Sequence, residues 1–164
     1  MKIWVSRFLT HAVFLTVVAI SGGCGGGDSG NALTAGGTAF RNGGATTNTI
    51  TFANGASVNA TPSGNGGYVI NGNQLAGVAA LDISISYDTS LASSPSVTQD
   101  TLFAGRAFVA NTAIPGKIRI ALVGTTGVSG SGPIAAISFG TASRTEFLSL
   151  DAVTMLDASG HAIQ

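Results

Sequence analysis

Charged residues and cysteine are scarce in this chain of 164 residues, and each shortage excludes a class of protein. Only 9% of the residues are charged, and seven basic residues balance seven acidic ones. A balanced chain has no basic field to hold a phosphate backbone, so we expect no nucleic-acid partner. One cysteine cannot form an internal disulfide, and one Cys with two His is too few for a structural zinc site. The length is that of one domain.

The residue types that enzymes use for catalysis are few and are not paired by spacing. The acidic residues show no pattern that would place two carboxylates in one cleft. His161 is the only histidine beyond residue 23 and lies near the C-terminal end, where chains fray. The glycine-rich segment 127–133 has no following Lys and leads into a predicted strand rather than a helix, so we interpret it as a turn between strands. We therefore predict no catalytic residue, no cofactor and no metal.

The N-terminal segment has the layout of an export signal. Lys2 and Arg7 precede an uncharged run over 8–20, which ends at Ser21-Gly22-Gly23-Cys24. The run is shorter than the roughly 20 apolar residues that span a bilayer, so we predict a cleaved signal peptide over 1–23. Cys24 and the small residues before it resemble the lipobox of bacterial lipoproteins. The resemblance implies lipidation of Cys24 and, because Gly25 follows, the outer membrane of a Gram-negative bacterium; the alternative is a plain signal peptide.

Residues 24–45 are nearly all Gly, Ser, Ala, Thr and Asn. Such a segment has too little apolar surface to repay its ordering entropy. We predict a flexible tether here, with the folded domain over 46–164. The alternative is that Phe40 and its neighbours form an edge strand.

From residue 46 onwards, short runs alternate with Gly, Asn, Ser and Pro at a spacing typical of an all-β sandwich or barrel. Alternation over 81–88 predicts a strand with Leu81, Ile83, Ile85 and Tyr87 facing the core. The predicted strands are 48–53, 67–70, 81–88, 97–103, 106–110, 117–122, 134–139, 146–150 and 153–156. Nine or so strands need two packed sheets, because a single open sheet would leave an apolar face in water.

The order of five motifs resembles the cohesin domain. They are a strand ending in Tyr87-Asp88, a Val-Thr strand in 96–103, Pro-Gly-Lys-Ile-Arg-Ile-Ala from 115, Thr-Gly-Val-Ser-Gly-Ser-Gly over 126–132, and an Ile-Ala strand over 134–139. The resemblance covers about 48–163. It implies a nine-stranded jelly-roll β-sandwich, related to carbohydrate-binding modules, that binds dockerin modules in polysaccharide-degrading assemblies.

The resemblance also indicates a binding face. In cohesins an Asp before the Tyr-Asp pair contacts the partner, and Asp82 matches it, while Ala80 and Thr125 stand where polar or acidic partner contacts are usual. The predicted partner-binding residues are Asp82, Ser84, Ser86, Lys117 and Arg119. The alternative for these residues is an ordinary solvated sheet face.

Three hypotheses for function follow. The first is a non-catalytic, lipid-anchored module that docks a dockerin-type or other extracellular protein. The second is direct carbohydrate binding or adhesion at the cell surface, with Tyr68 as the one candidate ring for stacking on sugars, since Tyr87 is predicted to face the core. The third is a purely structural envelope lipoprotein.

Overall fold

The computed structural model describes residues 34–35, 38–40, 48–64, 66–143 and 146–164, and β-strands dominate this part of the chain. The strands are β1 (Thr34–Ala35), β2 (Thr38–Phe40), β3 (Thr49–Thr51), β4 (Ser57–Ser63), β5 (Gly67–Tyr87), β6 (Ala92–Gln99), β7 (Ala107–Asn111), β8 (Lys117–Ala142) and β9 (Leu148–Leu156). One 3₁₀ turn lies at Thr101–Phe103. In these ranges no helix is long and apolar enough to cross a bilayer. The all-β prediction is confirmed.

Two long strands, β5 and β8, each contribute to two sheets. They run antiparallel to each other over most of their length. The first part of β5 also pairs with β4, and its second part with β9. The first part of β8 pairs with β7, and its second part with β6. We define the front sheet as β7, 117–123 of β8, 80–87 of β5, β9, β2 and β1, and the back sheet as β6, 132–142 of β8, 67–72 of β5, β4 and β3.

Bulges allow β5 to pass from one sheet to the other. The register between β5 and β8 shifts four times between Ile70 and Ala80, and Gln74 and Gly77 adopt positive φ there. The hydroxyl of Ser131 accepts a hydrogen bond from the Gln74 N–H, and that of Ser129 accepts one from the Gly77 N–H, each at 2.9 Å.

The glycine-rich segment 127–133 is therefore strand and not a turn. It lies inside β8, so the predicted turn between strands is wrong. At the bulges of β5, backbone N–H groups lose their regular hydrogen bonds to the neighbouring strand, and the serine hydroxyls of this segment accept hydrogen bonds from them instead. Strand patterns in the sequence do not reveal this role.

The core contains the alternating residues that the sequence indicates. Leu81, Ile83 and Ile85 of β5 are buried, as are Ile118 and Ile120 of β8. Burying such side chains contributes roughly 1.5–3 kcal/mol each. These residues form one cluster with buried residues of the back sheet, among them Val58, Ile70 and Ile137.

Aromatic rings join the two sheets at one end. The Tyr87 ring packs edge-on against Phe139 with centroids 5.2 Å apart, and Phe139 packs against Phe147 at 4.9 Å. The predicted inward orientation of Tyr87 is confirmed. Edge-to-face pairs of this kind add about 0.5–1.5 kcal/mol each beyond burial.

Several predicted boundaries differ from the structure. Strand β4 was not predicted, because its Ser, Asn and Pro residues are typical of turns. Residues 101–103 form a 3₁₀ turn that the Asp100 side chain caps, rather than the end of a strand. Residues 38–40 pair with β9, so the strand interpretation, not the tether, describes this short piece of 24–45.

Candidate functional site

The outer surface of the front sheet brings the predicted partner-binding residues together. Asp82, Ser84 and Ser86 alternate with buried residues along β5. The register places Ser84 opposite Arg119 and Ser86 opposite Lys117 on β8. All five predicted residues therefore lie on one surface, which we call the front face.

Asp82 and Arg119 form a forked ion pair on the front face. The Arg119 Nε donates to both Asp82 carboxylate oxygens at 3.1 Å, and Nη2 donates to Oδ2 at 2.9 Å. The hydrogen bonds to Asp82, followed by its charge, raise the pKa of Arg119. Because the Arg119 side chain is 70% exposed, water screens the pair, and it contributes at most about 1 kcal/mol to stability. The three hydrogen bonds fix the positions of the Arg119 guanidinium and the Asp82 carboxylate relative to each other.

A second ion pair includes a residue that sequence reasoning missed. The Lys117 Nζ lies 3.0 Å from Asp151 Oδ2, and the Ser86 hydroxyl donates to Asp151 Oδ1 at 2.7 Å. A bulge explains this position, because Ser84 pairs with Ala152 while Ile85 pairs with Leu150, which leaves Asp151 between them.

A sequence signal for this bulge exists. Leu148 and Leu150 face inward at one phase of alternation, and Val153 and Met155 face inward at the other. The change of phase between residues 150 and 153 marks the insertion of one residue in a strand.

The other half of the front face is apolar. Val109 is 65% exposed and Val123 is 56% exposed, and the register places them opposite Ala121 and Ala107. Beside Val123, a shallow depression of about 180 Å³ is lined mainly by apolar side chains and reaches Asp82. The front face thus combines exposed valines with charges that are already paired.

The mixture of exposed apolar and polar side chains on the front face is typical of a protein interaction surface. In the part of the chain that the structure describes, no group of three or more His, Cys, Asp or Glu is placed to hold a metal. Exposed apolar residues bordered by polar ones mark protein interaction surfaces.

The prediction that Tyr68 presents a ring for sugar stacking is wrong. Tyr68 is 1% exposed. Its ring packs edge-on against Phe147, with centroids 5.4 Å apart, and its hydroxyl accepts a hydrogen bond from the Phe147 N–H at 3.3 Å. A ring in this position belongs to the core of the sandwich and offers no surface to a glycan.

Comparison with known families agrees with this architecture. The family model for the cohesin domain matches residues 56–162. The chain belongs to the cohesin family. The matched range of this cohesin domain includes every residue of the front face discussed above. No curated protein matches the chain by sequence.

Solved cohesin structures share the fold. CaCohA2 from Clostridium acetobutylicum is 25% identical, with a TM-score of 0.55 over 65% of this chain and 81% of that one. The sixth cohesin of Acetivibrio cellulolyticus scaffoldin B was solved in complex with a Cel5 dockerin mutant. It is 19% identical to the present chain, with a TM-score of 0.54, and the match covers 65% of the present chain and 90% of the Acetivibrio chain. A non-cellulosomal cohesin from the archaeon Archaeoglobus fulgidus is 17% identical, with a TM-score of 0.50 over 60% and 71% of the two chains.

The predicted lipidation site, Cys24, lies outside the described residues, as does the whole predicted signal peptide.

Proposed function

We propose that this cohesin domain is a non-catalytic docking module that binds a dockerin-type module of an extracellular protein through its front face. The observation that carries the proposal is the front face itself, on which Asp82, Ser84, Ser86, Lys117 and Arg119 lie beside the exposed Val123. The complex of the Acetivibrio cohesin with a dockerin supports the choice of partner class.

The apolar half of the front face supplies most of the affinity in this proposal. Exposed valines on a rigid sheet lose little side-chain entropy when a partner covers them. The ion pairs already satisfy the charged groups of Asp82 and Arg119, so the partner needs to replace only water around them. Their fixed positions then select a partner with polar groups at the matching places.

A panel of dockerin modules tests the proposal by calorimetry or surface plasmon resonance. Val123→Asp places a charge in the apolar half and is expected to weaken binding at least about thirtyfold. Asp82→Lys places a second cation beside Arg119 and is expected to weaken binding to a similar extent. Thr98→Val, on the exposed side of β6 in the back sheet, is the matched control and should bind as the parent chain does.

The outcomes test the identity of the partner and the location of the binding face separately. Unchanged affinity of both front-face variants would show that a dockerin binds elsewhere. Failure of every dockerin in the panel to bind the parent chain would remove this partner class.

We further propose that the domain is anchored by lipid on Cys24 in the outer membrane of a Gram-negative bacterium, where docking would serve polysaccharide breakdown. The lipobox-like residues 21–24 support this part. Cys24→Ser is expected to move the protein from the membrane fraction to the soluble fraction and to abolish labelling by a fatty-acid analogue. Equal membrane retention of the variant would contradict lipid anchoring.

A further inference from the structure

A second cavity lies among the loops that follow β5 and β7. It measures about 290 Å³ and is bounded by the turn after β5, the start of β6 and the loop between β7 and β8. Thr89, Ser93, Ser94 and Thr112 line it together with apolar surface from two prolines, Ala92 and Tyr87. We call it the end cleft. None of the predicted partner-binding residues lines it.

Ser94 in the end cleft has a strained backbone. Its φ is +51°, in the left-handed region that residues with a Cβ rarely adopt. Such a conformation is strained and is often retained where a binding site requires it. The opposite residue is Gly140, where an added Cβ would come within 3.1 Å of the Ser94 Cβ. A side chain at residue 140 would therefore require a shift of a few tenths of an ångström between Ser94 and β8.

Three of the four hydroxyls that line the end cleft are available to a ligand. Ser93 shares a hydrogen bond with Thr141 at 2.7 Å. The side chains of Thr89, Ser94 and Thr112 make no hydrogen bond to another group in the described part of the chain. A hydroxyl both donates and accepts, so this set matches a ligand whose own groups do the same.

The lining of the end cleft offers no charged group to an ionic ligand. No charged residue is among the described residues that line it. Asp88, which precedes Thr89 in the sequence, already accepts hydrogen bonds from the N–H and hydroxyl of Ser90 at 2.8 and 2.6 Å. Pro95 and Pro115 line the cleft, and the C–H groups of proline suit the apolar face of a sugar ring.

We propose that the end cleft binds a neutral sugar residue of a glycan. Hydroxyls, proline surfaces and the lack of charge favour an uncharged polyhydroxylated ligand over a phosphate, a carboxylate or an amine. The volume is near the lower limit of about 300 Å³ for small-molecule pockets, so the cleft holds one end of a glycan rather than a long stretch. This site is separate from the one that Tyr68 was predicted to form.

Titration of the ¹⁵N-labelled full chain with glucose, galactose and cellobiose, followed by NMR, tests the proposal. At least one sugar is expected to give saturable shifts confined to residues 89–95 and 112–115. Ser94→Gly and Thr112→Val each remove one hydroxyl and are expected to weaken binding about three- to tenfold. Glycine tolerates the φ of residue 94, so Ser94→Gly retains the fold, and Thr98→Val on the same strand is the control.

The results that would contradict a sugar site in the end cleft can be told apart. No saturable shift with any of the three sugars, or the same affinity in both variants and the parent chain, would overturn the proposal. If inorganic phosphate or an uncharged Gly-Ser peptide shifted the same signals more strongly, the ligand of the end cleft would be an anion or a peptide and not a sugar. Dockerin binding is expected to be unchanged in Ser94→Gly and Thr112→Val, so failure of this site and failure of the front face remain distinguishable.

Discussion

At the scale of single residues, two carboxylates hold the turns that follow β5 and β9. Asp88 accepts hydrogen bonds from the N–H and hydroxyl of Ser90. Asp157 accepts from the N–H groups of Ser159 and His161 at 2.8 and 2.9 Å. The Ser90 hydroxyl is the main cause that lowers the pKa of Asp88, and the His161 N–H is the main cause that lowers the pKa of Asp157. Both side chains act as caps in their ionised form.

These pKa shifts predict a loss of stability in acid. Both pKa values lie below the ordinary value of 3.8 in the folded chain, so the stabilisation is present above that pH and is lost as pH falls through the folded values. We expect Asp88→Asn with Asp157→Asn to flatten the decline of the urea midpoint below about pH 4. Ser90→Ala, which removes the main partner of Asp88, should act in the same direction. An identical pH profile in all three chains would contradict the assignment.

The buried hydroxyl of Tyr68 is expected to contribute to the free energy of unfolding. Tyr68→Phe keeps the ring against Phe147 but removes the oxygen that accepts the Phe147 N–H. Because this group is buried, we expect the free energy of unfolding to fall by about 1–3 kcal/mol. Urea denaturation measures the change, with Thr98→Val as a surface control. A decrease below about 0.5 kcal/mol, the range of ordinary surface substitutions, would show that the hydrogen bond is not important.

At the scale of elements, the contact between the bulge of β5 and the glycine-rich part of β8 allows each strand to serve both sheets. A Cβ on Gly127 would lie 2.6 Å from the carbonyl carbon and oxygen of Gly77. Both contacts are with backbone, which cannot rotate away as a side chain would. Gly132, in the same segment, has only ordinary contacts with Leu102, at 3.7 Å or more.

This difference predicts opposite outcomes for two similar substitutions. Gly127→Ala must separate β5 from β8 and is expected to destabilise the domain by about 2 kcal/mol or more. Gly132→Ala is the matched control and should change the free energy of unfolding by less than about 0.5 kcal/mol. Thermal or urea unfolding measures both. Equal effects of the two substitutions would show that the close approach at Gly127 does not hold the strands together.

At the scale of the described domain, charge is distributed unevenly between the two sheets. Strands β3, β4 and β6, and the back-sheet parts of β5 and β8, contain no charged residue. The front face holds two ion pairs, each of which joins one cation to one carboxylate. Neither sheet therefore presents a strong net field to an approaching partner.

The paired charges predict a weak salt dependence of docking. Raising sodium chloride from about 0.05 to about 0.5 M shortens the Debye length from over 10 Å to less than 5 Å. We expect the dockerin dissociation constant to change by less than about threefold over this range, because the partner meets no uncompensated charge. Calorimetry at several salt concentrations checks this. A tenfold or larger loss of affinity would show that the ion pairs open and that Asp82 or Lys117 binds the partner through its charge.

Much of this cohesin domain follows from local patterns in its sequence. Alternation placed Ile83 and Ile85 in the core and Asp82 and Ser84 on the surface, because successive side chains of a strand point to opposite faces. The motif order from Tyr87 onwards indicated the family that the matched range 56–162 shows. The placement of the five predicted front-face residues needed only the pairing of two amphipathic strands.

Tertiary structure decided the features that depend on contacts between distant segments. Only the folded chain shows that Tyr68 of β5 is buried against Phe147, which precedes β9, and that Asp151 of β9 lies beside Lys117 of β8. The serine hydroxyls at 129 and 131 have a role only because the bulge of β5 lies beside them. Strand alternation is set by the geometry of each residue and its neighbours, so sequence alone determined which side chains face the core along a strand. Bulges, register and the end cleft arise from long-range contacts, whose partners the sequence does not specify one by one.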